Sequence, residues 1–199
     1  MVPIHSFKNL KDNWQYFGQI VRDYNFLLLY SDADKNIAEL VREAYSDIDA
    51  MSGPKSYVFV IEKPPESYKD ELASKEYWSY LSNRNKLFDD TIPYSKHDIY
   101  QIAESFKIEP KEIPCVVLFN DLNSDDIIIY HLNPDSGKEK LLMTFRRIFT
   151  IIRKYEREEA KNFLVVKDFL VRFEFFTKRI LEAPLLSILS LLLNRDLKK

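Results

Sequence analysis

FKIEPKEIPCVVLF, residues 106–119, holds the end of a helix, a turn and a buried strand in one short stretch. Its middle, Ile108 to Pro114, carries Pro110 and Pro114 among Glu109, Lys111 and Glu112. Proline fixes φ and has no N–H to donate to a ladder, so this part reads as a turn. Cys115-Val116-Val117-Leu118-Phe119 is an unbroken apolar run after that turn. Such a run reads as a strand buried on both faces. Upstream, Ser95 to Asp98 opens a short helix whose Ile99, Ile102, Ala103 and Phe106 share one face. Downstream, a polar turn over 121–126 leads to Ile127-Ile128-Ile129-Tyr130-His131-Leu132. The short polar link predicts that these two strands form a hairpin.

Working outward, Phe7, Leu10, Trp14, Phe17 and Val21 recur at spacings of 3 and 4. They predict a helix over 6–22 with Ser6 as its N-cap. Phe26 to Tyr30 and Tyr57 to Ile61 are two more buried strands. Between them, Ile37, Leu40, Val41, Ala44 and Ile48 make one stripe, which predicts a helix over 34–50 stopped by Gly53-Pro54. Residues 62–95 read as an insertion. Pro64-Pro65 break the chain, a helix over 66–82 presents Tyr68, Leu72, Trp78 and Leu81, and Asp89-Asp90 to Pro93 form a loop. After a turn at 133–137, Ser136 and Glu139 match a capping box for a helix carrying Leu142, Phe145, Phe149 and Ile152. Glu156 and Glu159 interrupt that stripe, so a break is expected over 156–162. The stripe resumes at Phe163, Val166, Leu170, Phe173, Thr177 and Ile180, and Pro184 ends it. A short apolar helix over 185–193 closes the series.

The element order is helix, strand, helix, strand, insertion, helix, Ile113-Pro114, strand, hairpin strand, helix. This order, with the run from Ile99 to Phe119, resembles the thioredoxin-like superfamily over residues 6–155. The fold class implied is α/β, a mixed central sheet flanked by helices. Residues 1–155 form that domain with the insertion at about 62–95. Residues 156–199 are a basic and apolar helical C-terminal extension. The resemblance also implies that Pro114 is the cis proline before a central strand, beside the active-site helix. Redox-active members carry Cys-x-x-Cys where the helix after the first central strand begins. Here the segment is Tyr30-Ser31-Asp32-Ala33-Asp34-Lys35-Asn36, with no cysteine. A helix N-terminus stabilises a thiolate with about half a positive charge. Asp32 and Asp34 occupy that field themselves, so two-cysteine disulfide exchange is excluded.

Composition narrows the function further. The 199 residues include only three glycines, Gly18, Gly53 and Gly137, and no two lie within thirty residues of each other. Phosphate-cradling loops need clustered glycines, so P-loops and dinucleotide fingerprints are excluded. No cofactor is implied. The one cysteine, Cys115, cannot form an internal disulfide. The first fourteen residues show no secretory apolar core, and a cytoplasmic protein is expected. The longest apolar stretch, 185–193, includes two serines, whereas a membrane-spanning helix needs ~20 residues. The net charge of −2 hides an asymmetry. Residues 1–137 carry 14 Lys/Arg against 23 Asp/Glu, a net of −9. Residues 138–199 carry 15 against 8, a net of +7. The tail can pair with its own body, or it can meet an acidic surface elsewhere.

Candidate chemistry is sparse. Cys115 is either a single thiol forming mixed disulfides or a small buried strand residue, and its strand context favours the second. Asp32-x-Asp34 at a strand end resembles the nucleophile and acid/base pair of Mg²⁺-dependent haloacid-dehalogenase-type phosphotransferases, with Asp89-Asp90 or Asp125-Asp126 as further metal-binding acids. Lys35-Asn36 departs from that pattern, and the reading of the pair as helix N-cap acids is favoured over it. His5, His97 and His131 lack metal-ligand spacing. No aromatic RNA-binding motif is present, and nucleic acid is disfavoured as a partner. The strongest partner-binding candidate is the stretch 163–193, with the broad aromatic stripe Phe163, Val166, Phe169, Leu170, Phe173, Phe176 and Ile180, flanked by Lys167, Arg172, Lys178 and Arg179. It fits docking onto its own domain, association with a protein partner or a second copy of the chain, or an amphipathic helix on a membrane surface. The expected function is a non-catalytic adaptor. It uses these residues or the face near Pro114 to bind a protein or form a homo-oligomer.

Overall fold

The computed structural model describes residues 1–19, 24–53, 56–68, 91, 93–119, 121–122 and 127–157. The chain divides after Thr150, and the first unit, Met1–Thr150, holds the sheet. Five strands lie in the order β1 (Val2–Pro3), β3 (Ser56–Val60), β2 (Tyr24–Leu29), β4 (Cys115–Phe119), β5 (Ile127–His131). β1 and β2 both run parallel to β3. β4 runs antiparallel to β2 and to β5. The architecture is α/β, a mixed sheet with helices packed on it, and the expected hairpin is β4–β5.

The burial pattern explains the apolar runs. Every residue of β2, β3 and β4 is buried, as required when helices cover both faces of a sheet. Side chains alternate between faces. Leu27, Leu29, Phe59, Cys115, Val117 and Phe119 join one cluster with Phe7 and Leu10 of α1 (Phe7–Gln19) and Ile99 and Ile102 of α4 (Asp98–Ser105). Trp14 packs there between Phe59 and Phe119, with ring centroids 6.0 and 5.6 Å away. On the other face, Phe26 meets the edge of Phe149 at 5.1 Å. Phe149 belongs to α5 (Lys138–Arg157). Fully burying a side chain such as Leu27 or Phe119 contributes roughly 1.5–3 kcal/mol. At the sheet edge, β5 returns to alternation, with Ile128 buried and Ile127 and Ile129 half-buried.

Local signals set the helix ends. Ser6 Oγ accepts the Asn9 N–H at 3.1 Å, so it caps α1 as expected. The segment over 34–50 differs from the single helix its stripe suggests. It forms α2 (Lys35–Glu43) and α3 (Tyr45–Ser52), separated at Ala44, whose φ of −107° leaves the helical region. The break buries Tyr45, whose ring stands 4.7 Å from that of Tyr68. A continuous stripe of apolar residues is compatible with either arrangement, because both place Ile37, Val41 and Ile48 inward. Gly53 ends α3 at φ 76°, a conformation that favours glycine. α5 begins one residue later than the Ser136 capping box implies. The Gly137 carbonyl accepts the Leu141 N–H at 3.1 Å. Of the expected helix over 66–82, only 66–68 are among the described residues, as is nothing beyond Arg157.

α4 ends in a complete Schellman motif. The Ile108 N–H reaches the Ala103 carbonyl at 2.8 Å and the Lys107 N–H reaches the Glu104 carbonyl at 3.0 Å. Lys107 occupies the left-handed position at φ 58°, where glycine is usual. The chain then makes a 3₁₀ turn, Pro110–Glu112, in which the Glu109 N–H donates to Glu112 Oε2 at 2.7 Å. The Ile113–Pro114 bond that follows is cis.

Candidate functional site

The carboxyl ends of the parallel strands are where open α/β sheets place their ligands. In this chain those ends bring together Tyr30 after β2, Glu62 beyond β3, and the start of β4. Leu29 stands opposite Cys115 in the β2–β4 register, so Tyr30 and Pro114 lie at the same end of the sheet.

A polar network fills this position. The Tyr30 hydroxyl donates to Glu62 Oε2 at 2.8 Å, and Lys96 Nζ donates to the same oxygen at 2.9 Å. The Lys96 ammonium also lies 4.2 Å from the centre of the Tyr30 ring and 3.4 Å from Asp32 Oδ1. Arg42 Nε stands 3.6 Å from the second Glu62 oxygen. The Glu62 and Lys96 side chains are each only 13% exposed, so their attraction is weakly screened. Burial, reinforced by the Glu62 charge, holds the Tyr30 phenol far above its ordinary pKa. Tyr30 therefore donates a hydrogen bond and is no base. Every charge at the centre of the network has a partner. Sequence reasoning missed Glu62 and Lys96, because they are separated by 34 residues and each looks like an ordinary surface charge.

The segment from Ser31 to Asp34, which follows β2, closes on itself. Asp34 Oδ2 accepts the Ser31 N–H at 2.7 Å and the Ser31 hydroxyl at 2.8 Å, while the Asp34 N–H donates to the Ser31 carbonyl at 3.1 Å. Asp34 occupies the N-cap position of α2, but its carboxylate turns back to Ser31 and caps no helix N–H. The expectation that it acts as a capping acid is corrected on that point. The Asp32 side chain is 82% exposed and inclines to Lys96. Among the described residues, no three His, Cys, Asp or Glu side chains converge as a metal site. Asp89, Asp90, Asp125 and Asp126 lie outside the described residues.

Cys115 is fully buried, and burial, followed by the nearby Glu112 charge, pushes its thiol up to about 12. A thiol in that state is protonated and a poor nucleophile. His131 is its cross-strand neighbour but turns to Glu112. Its Nδ1 lies 3.2 Å from the Glu112 carbonyl and its Nε2 3.8 Å from the carboxylate. His5 is buried against Tyr94 at 4.3 Å, and His97 is exposed. Pro114 is buried, and its carbonyl accepts the Leu132 N–H at 2.8 Å. Phe163, Val166, Phe169, Leu170, Phe173, Phe176, Lys167, Arg172, Lys178 and Arg179 lie outside the described residues. Among the described residues, no helix is long and apolar enough to cross a membrane. Comparison of the chain with protein families, curated proteins and solved structures finds no match.

Proposed function

We propose that this chain is a redox-inactive, thioredoxin-like interaction module. It holds a protein partner or a second copy of itself through the face near Pro114 or the segment 156–199. The strand order β1-β3-β2-β4-β5, with β4 antiparallel to β2 and β5, supports the thioredoxin-like reading. The observation that carries the non-catalytic reading is the closed Ser31–Asp34 turn beside the Tyr30–Glu62–Lys96 network. On the thioredoxin-like reading, the position of a reactive loop is taken by side chains already bonded to one another. The single-thiol alternative is disfavoured by the burial of Cys115. The Mg²⁺-dependent aspartate alternative is disfavoured because the Asp34 carboxylate is committed to Ser31. The one-cysteine composition supports a cytoplasmic setting.

The experiment is capture of partners on the tagged full-length chain, repeated with Cys115→Ser and Asp32→Asn. The proposal expects the same proteins, or the same self-association, from all three chains. Partner exchange that needs the thiol, or Mg²⁺-dependent turnover of an aryl phosphate abolished by Asp32→Asn, would overturn it.

A further inference from the structure

α5 has two faces of different chemistry. Leu141, Phe145, Ile148 and Phe149 are buried, whereas Lys140, Met143, Arg146, Arg147 and Thr150 are exposed. The cations on the exposed face stand apart from others in the body. Lys138 holds both Glu39 and Glu43, at 2.9 and 2.8 Å. Lys96 and Arg42 hold Glu62, and Lys111 holds Glu109. Lys140, Arg146 and Arg147 reach no carboxylate among the described residues. In their midst Met143 is 47% exposed, a degree of exposure that among the described large apolar residues only Tyr100 shares. Met143 lies three or four positions from Lys140, Arg146 and Arg147, so the four side chains occupy neighbouring positions on one helix face.

We propose that this outer face of α5 docks on an anionic phospholipid surface. Three cations with no carboxylate partner among the described residues complement lipid phosphate and serine headgroups, and the exposed thioether reaches toward the acyl boundary between them. A nucleic acid would match the cations but would leave Met143 without a role. The sequence that follows repeats the same chemistry, with Phe169, Phe173 and Phe176 among Lys167, Arg172, Lys178 and Arg179. This inference does not depend on the function proposed above, because a membrane-held chain can carry a protein partner or none.

The test is flotation of the full-length chain with vesicles of phosphatidylcholine alone and of phosphatidylcholine with phosphatidylserine. Binding is expected only to the second kind, and it should weaken as salt rises. Each basic residue near an anionic surface contributes roughly a factor of five, so the Lys140→Gln/Arg146→Gln/Arg147→Gln chain should bind ~100-fold more weakly. As a readout independent of that triple variant, Met143→Trp should gain a blue-shifted emission on the anionic vesicles relative to the parent chain. Equal binding to neutral vesicles, unchanged binding by the triple variant, an unshifted Trp spectrum, or preference for duplex DNA or RNA over vesicles would each overturn the proposal.

Discussion

The cluster at the carboxyl ends of β2 and β3 and the outer face of α5 both carry cations, and they use them in opposite ways. In the cluster, Lys96 and Arg42 are spent on Glu62, with Tyr30 bonded to the same carboxylate. On α5, Lys140, Arg146 and Arg147 are exposed and engage no carboxylate among the described residues. A half-buried pair is committed to the fold, because separating it strands a charge away from water. An exposed cation contributes little to stability and keeps its field available to a partner. Substitutions in the first region should therefore move stability, and those in the second should move binding.

The largest effect is expected from Glu62→Ala. It removes the acceptor of Tyr30 and the counter-charge of Lys96, and should cost about 3–4 kcal/mol in urea unfolding. Cys115→Ser comes next. It puts a hydroxyl into an apolar strand and should cost about 1–3 kcal/mol while leaving partner binding unchanged. In the parent protein the native thiol should stay unreactive toward Ellman's reagent at neutral pH and react only on unfolding.

The same burial has a pH signature. The folded Cys115 pKa of about 12 lies above its ordinary 9.0. Tyr30 and Tyr45 are also raised by burial. These groups favour the protonated fold, so their contribution is complete below the ordinary values. It is lost as pH rises from those values through the folded ones. The share of thermal stability these three groups supply should hold up to about pH 9, and the melting temperature should then fall on the alkaline side. A melting temperature that rises above pH 9 would contradict this assignment.

Two smaller effects complete the contrast. Lys107→Gly relieves a left-handed residue at the end of α4 and should stabilise by about 0.5–1 kcal/mol, read as a higher urea midpoint. Arg146→Gln and Arg147→Gln should each change stability by no more than about 0.5 kcal/mol, because both are exposed and neither holds a carboxylate among the described residues. A large loss at either arginine would mean that α5 uses these cations internally.

Much of the framework was legible because its signals are local. The runs containing Phe26–Leu29, Tyr57–Val60 and Cys115–Phe119 are strands, and Ser6 announces the start of α1 through a bond to Asn9. The break at Ala44 was not legible, because alanine is a good helix former and the apolar stripe passes through it unaltered. The end of α4 was hidden as well, since the residue at its left-handed position is Lys107 rather than glycine. The Tyr30–Glu62–Lys96 network was invisible for another reason. Three distant segments contribute one side chain each, and only the parallel pairing of β2 with β3 brings two of them to the same end. In the Ser31–Asp34 turn, composition suggested a cap, but a carboxylate can bond backward or forward with equal ease, and here it bonds backward.

The most direct measurement is the native mass of the full-length chain purified with whatever it retains, compared with a Phe169→Asp/Phe173→Asp chain. An interaction module should run well above its own 23.7 kDa, as a homo-oligomer or with a stoichiometric partner, and the double variant should lose that association. A monomer that retains no protein, with the variant behaving identically, would contradict the interaction role.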